Sequence, residues 1–402
     1  MRQVIKINEK AGNGKMNLEE KDRIGQYLTP HLDEIVFDEL SDAYLAKAGV
    51  ADILTDVPVP LRKSELGGIS TLTIAKCMAF VIGCDPEFKY KENYVNYILR
   101  TFGESFVDAL IAEGVEAADS KNDYDYACIM FRGAMQINPE NAGAYYCYGR
   151  ACKDAYETAS ADLGITEEAE EFVGRFKAEA LEAFEVATIK NPKLAEAYYF
   201  LGYAYINMGL YVKSKLTWEE YMKLTEEAAS IDETDDKMQD EAFAAHIKEL
   251  REIRKEIAER IKSLEKPVEI EKGYNLVISG KYEEGIAALS EYKESEFASW
   301  WPLWFYLGTA YGELGENEEA VSCFTEVLKY APSHIDAMEE LVKLYEKLGD
   351  NEKSKKYANK IEVVKSNIEK DKQLAEENLR TSAEKQRRMV EVMTKEGTGK
   401  VN

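Results

Sequence analysis

The sequence predicts an all-α protein, an α-solenoid of helical hairpins preceded by a helical N-terminal domain. Three observations carry this. Glycine and proline are scarce, 25 and 9 in 402 residues, while Ala, Glu, Lys, Leu and Tyr dominate, which suits helices. Between Trp301 and His334, Trp304, Leu307, Gly308 and Tyr311 mark one face of a first helix. Gly315 breaks the run, Ala320, Phe324, Val327 and Leu328 mark a second apolar face, and Pro332 ends it because proline lacks the N–H a helix needs. From Asp108 onward this pattern recurs about every 34 residues.

At 301–334 the pattern W-x2-L-G-x2-Y, A-x3-F and P is filled at every position. It resembles the tetratricopeptide repeat. The resemblance implies a right-handed solenoid whose first helices line a concave groove. It also implies a non-catalytic scaffold or adaptor that binds a protein or peptide there.

Taken in order, residues 1–16 are polar and predicted to be poorly ordered. GNGK at 12–15 lacks the first glycine of a phosphate loop, and Met16 stands where Ser or Thr would hold magnesium. Residues 17–107 are predicted to form a helical domain of unassigned role. Asn17 caps its first helix, and Ile35, Leu40, Tyr44 and Leu45 mark a second that ends near Gly49. DVPVPL at 56–61 reads as an extended connector. Ser64 is expected to cap a long apolar helix reaching Gly83, and Asp85-Pro86 to open another carrying Tyr90, Tyr94, Tyr97, Ile98 and Phe102.

A first repeat block spans 108–228. In its first copy Gly114-Val115 replaces the usual Leu-Gly. Its second copy holds Tyr145, Tyr148 and Gly149, but Ala180, Phe184, Ala187 and Pro192 arrive late. An insertion within 154–177 is therefore expected to lengthen both helices around a turn at ADLG. Such insertions project from one face and either carry function or merely decorate it. The third copy, 195–228, carries Tyr198, Leu201-Gly202, Tyr205 and Trp218. At 229–265 comes an acid-rich loop, without the spaced oxygens of a calcium site, and then a long amphipathic helix from Phe243 to Leu264 expected to pack along the solenoid. The second block, 266–364, holds a degenerate copy, the full copy and a last one begun at Ile335. Residues 365–402 read as a polar helical tail, positively charged and disordered at its end.

The net charge of −24 argues against nucleic acid as partner and favours a basic protein or peptide. No secretory signal is visible, the apolar run 69–84 is short for a membrane span, and the six cysteines lack a disulfide framework. A cytoplasmic chain with reduced thiols and no membrane association is expected. Three histidines lie far apart, and neither H-E-x-x-H nor G-x-S-x-G occurs. No catalytic residue, metal or cofactor is therefore nominated.

The family's groove positions fall here on Tyr146 and Arg150, on Tyr199, Tyr203, Ile206 and Asn207, and on Phe305 and Thr309. The Lys/Asn set with which some members clamp a terminal carboxylate is absent. These aromatics either form an open binding surface or pack against the insertion or the 241–264 helix. Two alternatives remain: an N-terminal domain with regulatory or catalytic activity controlled through the repeats, and self-association through long helices, 241–264 and 351–393, as a coiled coil.

Overall fold

Three repeated features build the fold: amphipathic helices, a glycine on one helix facing a large apolar side chain on the next, and short turns. The computed structural model describes residues 22–63, 70–162 and 167–370. The expectations for Asn17, GNGK, Ser64, the 163–166 turn and the tail beyond 370 lie outside them. The chain divides into two compact units, Met1–Ala204 and Tyr205–Asn402.

The first unit opens with a one-turn helix α1 (Gly25–Leu28) and a 3-10 stretch. Where a helix and an unpaired connector were expected, the chain forms two antiparallel strands, β1 (Ile35–Asp38) and β2 (Val59–Arg62), with Phe37 opposite Pro60. Ile-Val-Phe prefers a pleated surface, and a two-stranded ribbon tolerates proline because each strand has an unpaired edge. The helix expected from Ile35 is confined to α2 (Asp42–Ala48), followed by α3 (Ala51–Leu54).

Helix α4 (Thr71–Cys84) is capped by Ser70, whose Oγ accepts the Thr73 N–H at 3.1 Å. Ten of its fourteen residues are buried, and from Cys77 to Cys84 every residue is enclosed. Asp85-Pro86 does not open the next helix. Asp85 folds a turn by accepting the Glu87 N–H at 3.0 Å, and α5 starts at Lys91 and runs to Phe102.

Helices α6 (Ser105–Lys121) and α7 (Tyr124–Ile137) form the first hairpin, α8 (Ala142–Asp162) and α9 (Glu167–Lys190) the second, and α10 (Ala195–Asn207) follows. The insertion thus lengthens both α8 and α9. A Cβ on Gly114 would lie 2.6 Å from the Phe131 ring, and one on Gly149 would lie 2.7 Å from Phe184. Gly114, and not Val115 beside it, therefore takes the small position of the first copy. Asn122, in the left-handed region at φ 53°, turns the chain between these helices. Helix α4 crosses α7 backbone to backbone at Gly83 and Gly133.

In the second unit, α11 (Tyr211–Leu224) and the short α12 (Glu226–Ala229) precede the long helix α13 (Glu241–Ser263). Helix α13 packs on α11, and Ile247 and Ile257 on it are buried. Arg251 fastens it by donating to the carbonyls of Ala229 and Ile231, and Arg254 by donating to the Met222 carbonyl and the Thr225 hydroxyl. The hairpins α14 (Glu265–Ile278) with α15 (Tyr282–Ser290), and α16 (Trp301–Leu314) with α17 (Asn317–Tyr330), repeat the small-to-large joint. Gly273 faces Leu289, and Gly308 faces Phe324. Helix α18 (Ile335–Lys347) and a helix over 351–370, α19, complete the described chain. Hairpins stacked in this way make the protein an all-α solenoid.

Candidate peptide-binding surface

Residues 146, 150 and 153 are spaced four and three apart, so α8 carries Tyr146, Arg150 and Lys153 on one face. Helix α10 brings Tyr199, Phe200 and Tyr203, and α9 brings Phe184. In the first unit these side chains form one continuous cluster. Phe200 is its hub: its ring stacks on Phe184 at 5.6 Å and lies 6.1 Å from Tyr146 and 5.0 Å, edge-on, from Tyr199. Tyr199 meets Tyr203 edge to face at 5.2 Å. Tyr146, Tyr199, Phe200 and Tyr203 are all half-buried.

Two cations sit on this cluster. The Arg150 guanidinium lies 5.6 Å from the Phe200 ring centre and the Lys153 ammonium 5.9 Å away, both within cation–π reach. Lys153 is neutralised by Glu157 at 2.6 Å. Among the described residues no carboxylate forms an ion pair with Arg150, which interacts instead with the Tyr146 hydroxyl and the Phe200 ring. Burial pushes the Tyr146 hydroxyl above its ordinary pKa, partly opposed by Arg150, so the hydroxyl stays protonated.

Of the sequence-predicted residues, the structure brings together Tyr146, Arg150, Tyr199 and Tyr203. Asn207 is exposed at the end of α10. Phe305 packs within the second unit against Phe324 at 5.6 Å and His334 at 5.2 Å. Thr309 donates to the Phe305 carbonyl at 3.0 Å, inside its own helix. Position counting missed Phe200 because it lies between groove positions. No sequence signal marked it, because its contacts with Phe184, Tyr146 and the two cations of α8 come from other helices.

All six cysteines are free, five of them buried. Cys128 and Cys152 approach at 3.8 Å, and burial raises the Cys152 thiol far above its usual range. Among the described residues no cluster of metal-ligating side chains occurs, and no helix is long and apolar enough to cross a membrane.

Two family models match, both described as the tetratricopeptide repeat, at residues 195–228 and 301–334. No curated protein matches in sequence. Among solved structures, MamA is 14% identical, with 66% of this chain and 94% of that chain covered and a TM-score of 0.23. PilF of Pseudomonas aeruginosa is 11% identical, with 65% and 93% covered and a TM-score of 0.26. YrrB, described as a TPR protein with an unusual peptide-binding site, is 17% identical, with 62% and 97% covered and a TM-score of 0.24. The repeats support a protein-interaction scaffold, a role that is typically non-catalytic. The chain thus carries tetratricopeptide repeats at 195–228 and 301–334, and the small-to-large joint recurs in four of its hairpins.

Proposed function

We propose that the chain binds a peptide segment of a partner protein on the surface formed by Tyr146, Arg150, Tyr199, Phe200 and Tyr203. The observation that carries this is a half-buried aromatic cluster capped by an arginine with no carboxylate of its own. Tyrosine rings supply contact area at low entropic cost. Arg150 donates to main-chain carbonyls of the bound segment, and an apolar side chain of the ligand rests on Phe200. The net charge of −24 favours a partner of basic character, chiefly through faster encounter.

A random peptide library displayed on phage and selected on the full chain tests this. Selected peptides are expected to lose about tenfold or more in affinity for both Arg150→Gln and the Tyr199→Ala/Tyr203→Ala double variant. That corresponds to ~1.4 kcal/mol, in the range of one or two aromatic contacts. Peptides held equally well by wild type and both variants would remove this surface from consideration.

A further inference from the structure

The segment 22–28 is held as a protein holds a peptide. The Asp22 carboxylate takes both terminal nitrogens of Arg132, at 3.1 and 2.5 Å, and the Arg132 side chain is only 5% exposed. Arg23 lies between Glu179 at 3.0 Å and Glu182 at 2.6 Å. Its carbonyl accepts from Arg175 Nη1 at 2.8 Å. Ile24 and Leu28 are fully buried. Tyr27 sets its ring edge-on to Phe172 at 5.0 Å, and Phe172 stacks on Phe176 at 4.1 Å.

One feature separates this arrangement from ordinary core. Phe172, Arg175 and Phe176 belong to the insertion that breaks the repeat period, so the extra turns of α9 exist where the segment docks. The segment 22–28 is attached to α7 and α9 through side chains and the Arg23 carbonyl. A buried guanidinium needs an anion, and this one takes it from a carboxylate 110 residues away. Beside the pair lies a cavity of ≈ 380 Å³ lined in part by Asp85, Gln136, Tyr145 and Tyr148.

We infer that Arg132 and the extended α9 form a second peptide-binding site, specific for a short segment with an acid, a base, an apolar residue and, three and four further on, an aromatic and an apolar residue. Residues 22–28 are its resident occupant, and a partner protein carrying that pattern displaces them. This site is independent of the Tyr146 surface.

The test uses the full chain and a fluorescein-labelled synthetic peptide of residues 20–30, titrated by anisotropy. Ile24→Asp expels the resident segment, and this variant is expected to bind the peptide at least tenfold more tightly than wild type. Carrying Asn in place of Asp22 in the peptide, or adding Arg175→Ala to the protein, should each weaken binding about tenfold. Tyr199→Ala/Tyr203→Ala should leave binding unchanged, which separates this site from the other surface. Equal affinity for wild type and Ile24→Asp, or indifference to the peptide's Asp22→Asn change, overturns the proposal. A wild-type dimer dissociated by the peptide in light scattering would also overturn it, by assigning the occupant to a second copy. If Ile24→Asp does not fold, hydrogen exchange on wild type decides. Amides 25–28 exchanging faster than those of α7 and α9 support a detachable segment, and exchange at the same rate shows integral core.

Discussion

Gly83→Ala is the sharpest test of how this fold is assembled, because the substitution ordinarily helps a helix. A Cβ at Gly83 would sit 2.1 Å from the Ile129 carbonyl oxygen, whereas ordinary contact begins at 3.4 Å. Its obstacle is backbone, so no rotamer change relieves it. Helices α4 and α7 must separate by roughly 1 Å, and a gap of that size forfeits a quarter to a half of each dispersion contact across the crossing. Overpacking costs about 1–3 kcal/mol, and a backbone clash belongs at the upper end. Against this, alanine returns about 1 kcal/mol of helix propensity. The net is a loss of about 2 kcal/mol.

Gly174→Ala is the matched control. It lies within α9 with nothing within 4 Å of the added carbon, so propensity acts alone and should stabilise by about 1 kcal/mol. Urea unfolding followed by far-UV circular dichroism measures both. All four tryptophans (218, 300, 301, 304) lie in the second unit, so tryptophan emission reports that unit separately. A Gly83→Ala chain as stable as wild type would refute the backbone-contact reasoning. Equal harm from Gly174→Ala would show that glycine matters here for some reason other than space.

Two further predictions concern side-chain acceptors at helix starts. His334 Nδ1 accepts the Ala337 N–H at 3.1 Å, capping α18, and burial holds its pKa below the ordinary value despite the opposing charge of Asp336. The fold therefore favours the neutral ring. Its contribution is complete above pH ~6.5 and is lost as pH falls from there towards the depressed folded value. His334→Asn should keep the cap and flatten that slope, and His334→Ala should cost about 1 kcal/mol at pH 8, both read by thermal unfolding across pH. Glu271, on α14, accepts the Val212 N–H at 2.6 Å at the start of α11, and burial raises its pKa despite that bond. A raised carboxyl makes the fold progressively less stable as pH rises from about 4.3 towards the folded value. Glu271→Gln, which keeps an oxygen acceptor, should remove this slope, and Glu271→Ala should lose about 1–3 kcal/mol by leaving a buried N–H unmet. An unaltered slope in Glu271→Gln would show that the carboxyl does not couple to folding.

The hairpins were legible because their determinant is local. Gly308 and Phe324 lie on the two helices of one hairpin, and the pattern that names them is also the contact that joins them. The same rule failed by one residue at Gly114, since counting from the second helix ignores where a turn takes up an extra residue, here near Asn122. The strands β1 and β2 were illegible for a different reason. Each is four residues long, too short for period-two alternation to stand out from one helical turn, and their partnership is set by chain folding between them. The start of α4 at Ser70 was illegible because the cap is defined by one hydrogen bond, to the Thr73 N–H, and not by composition. Within the candidate surface, Tyr146, Arg150, Tyr199 and Tyr203 were found by position, but the hub Phe200 depends on how α8, α9 and α10 lean together.

The insertion in the second hairpin shows how a periodic fold can gain a site without losing its joint. Gly149 still meets Phe184, although the chain between them is longer than in the full copy. The added residues leave the hairpin in register and extend α8 and α9 beyond the point where the next hairpin requires them. On α9 the excess turns present Phe172, Arg175 and Phe176, and it is these that grip Tyr27 and the carbonyl of Arg23. A repeat of ordinary length would end before it could reach them. The joint fixes where the hairpins sit, and the excess length is released from packing duty. The part of the second copy that departs from the repeat is therefore also the part that holds a segment from outside it.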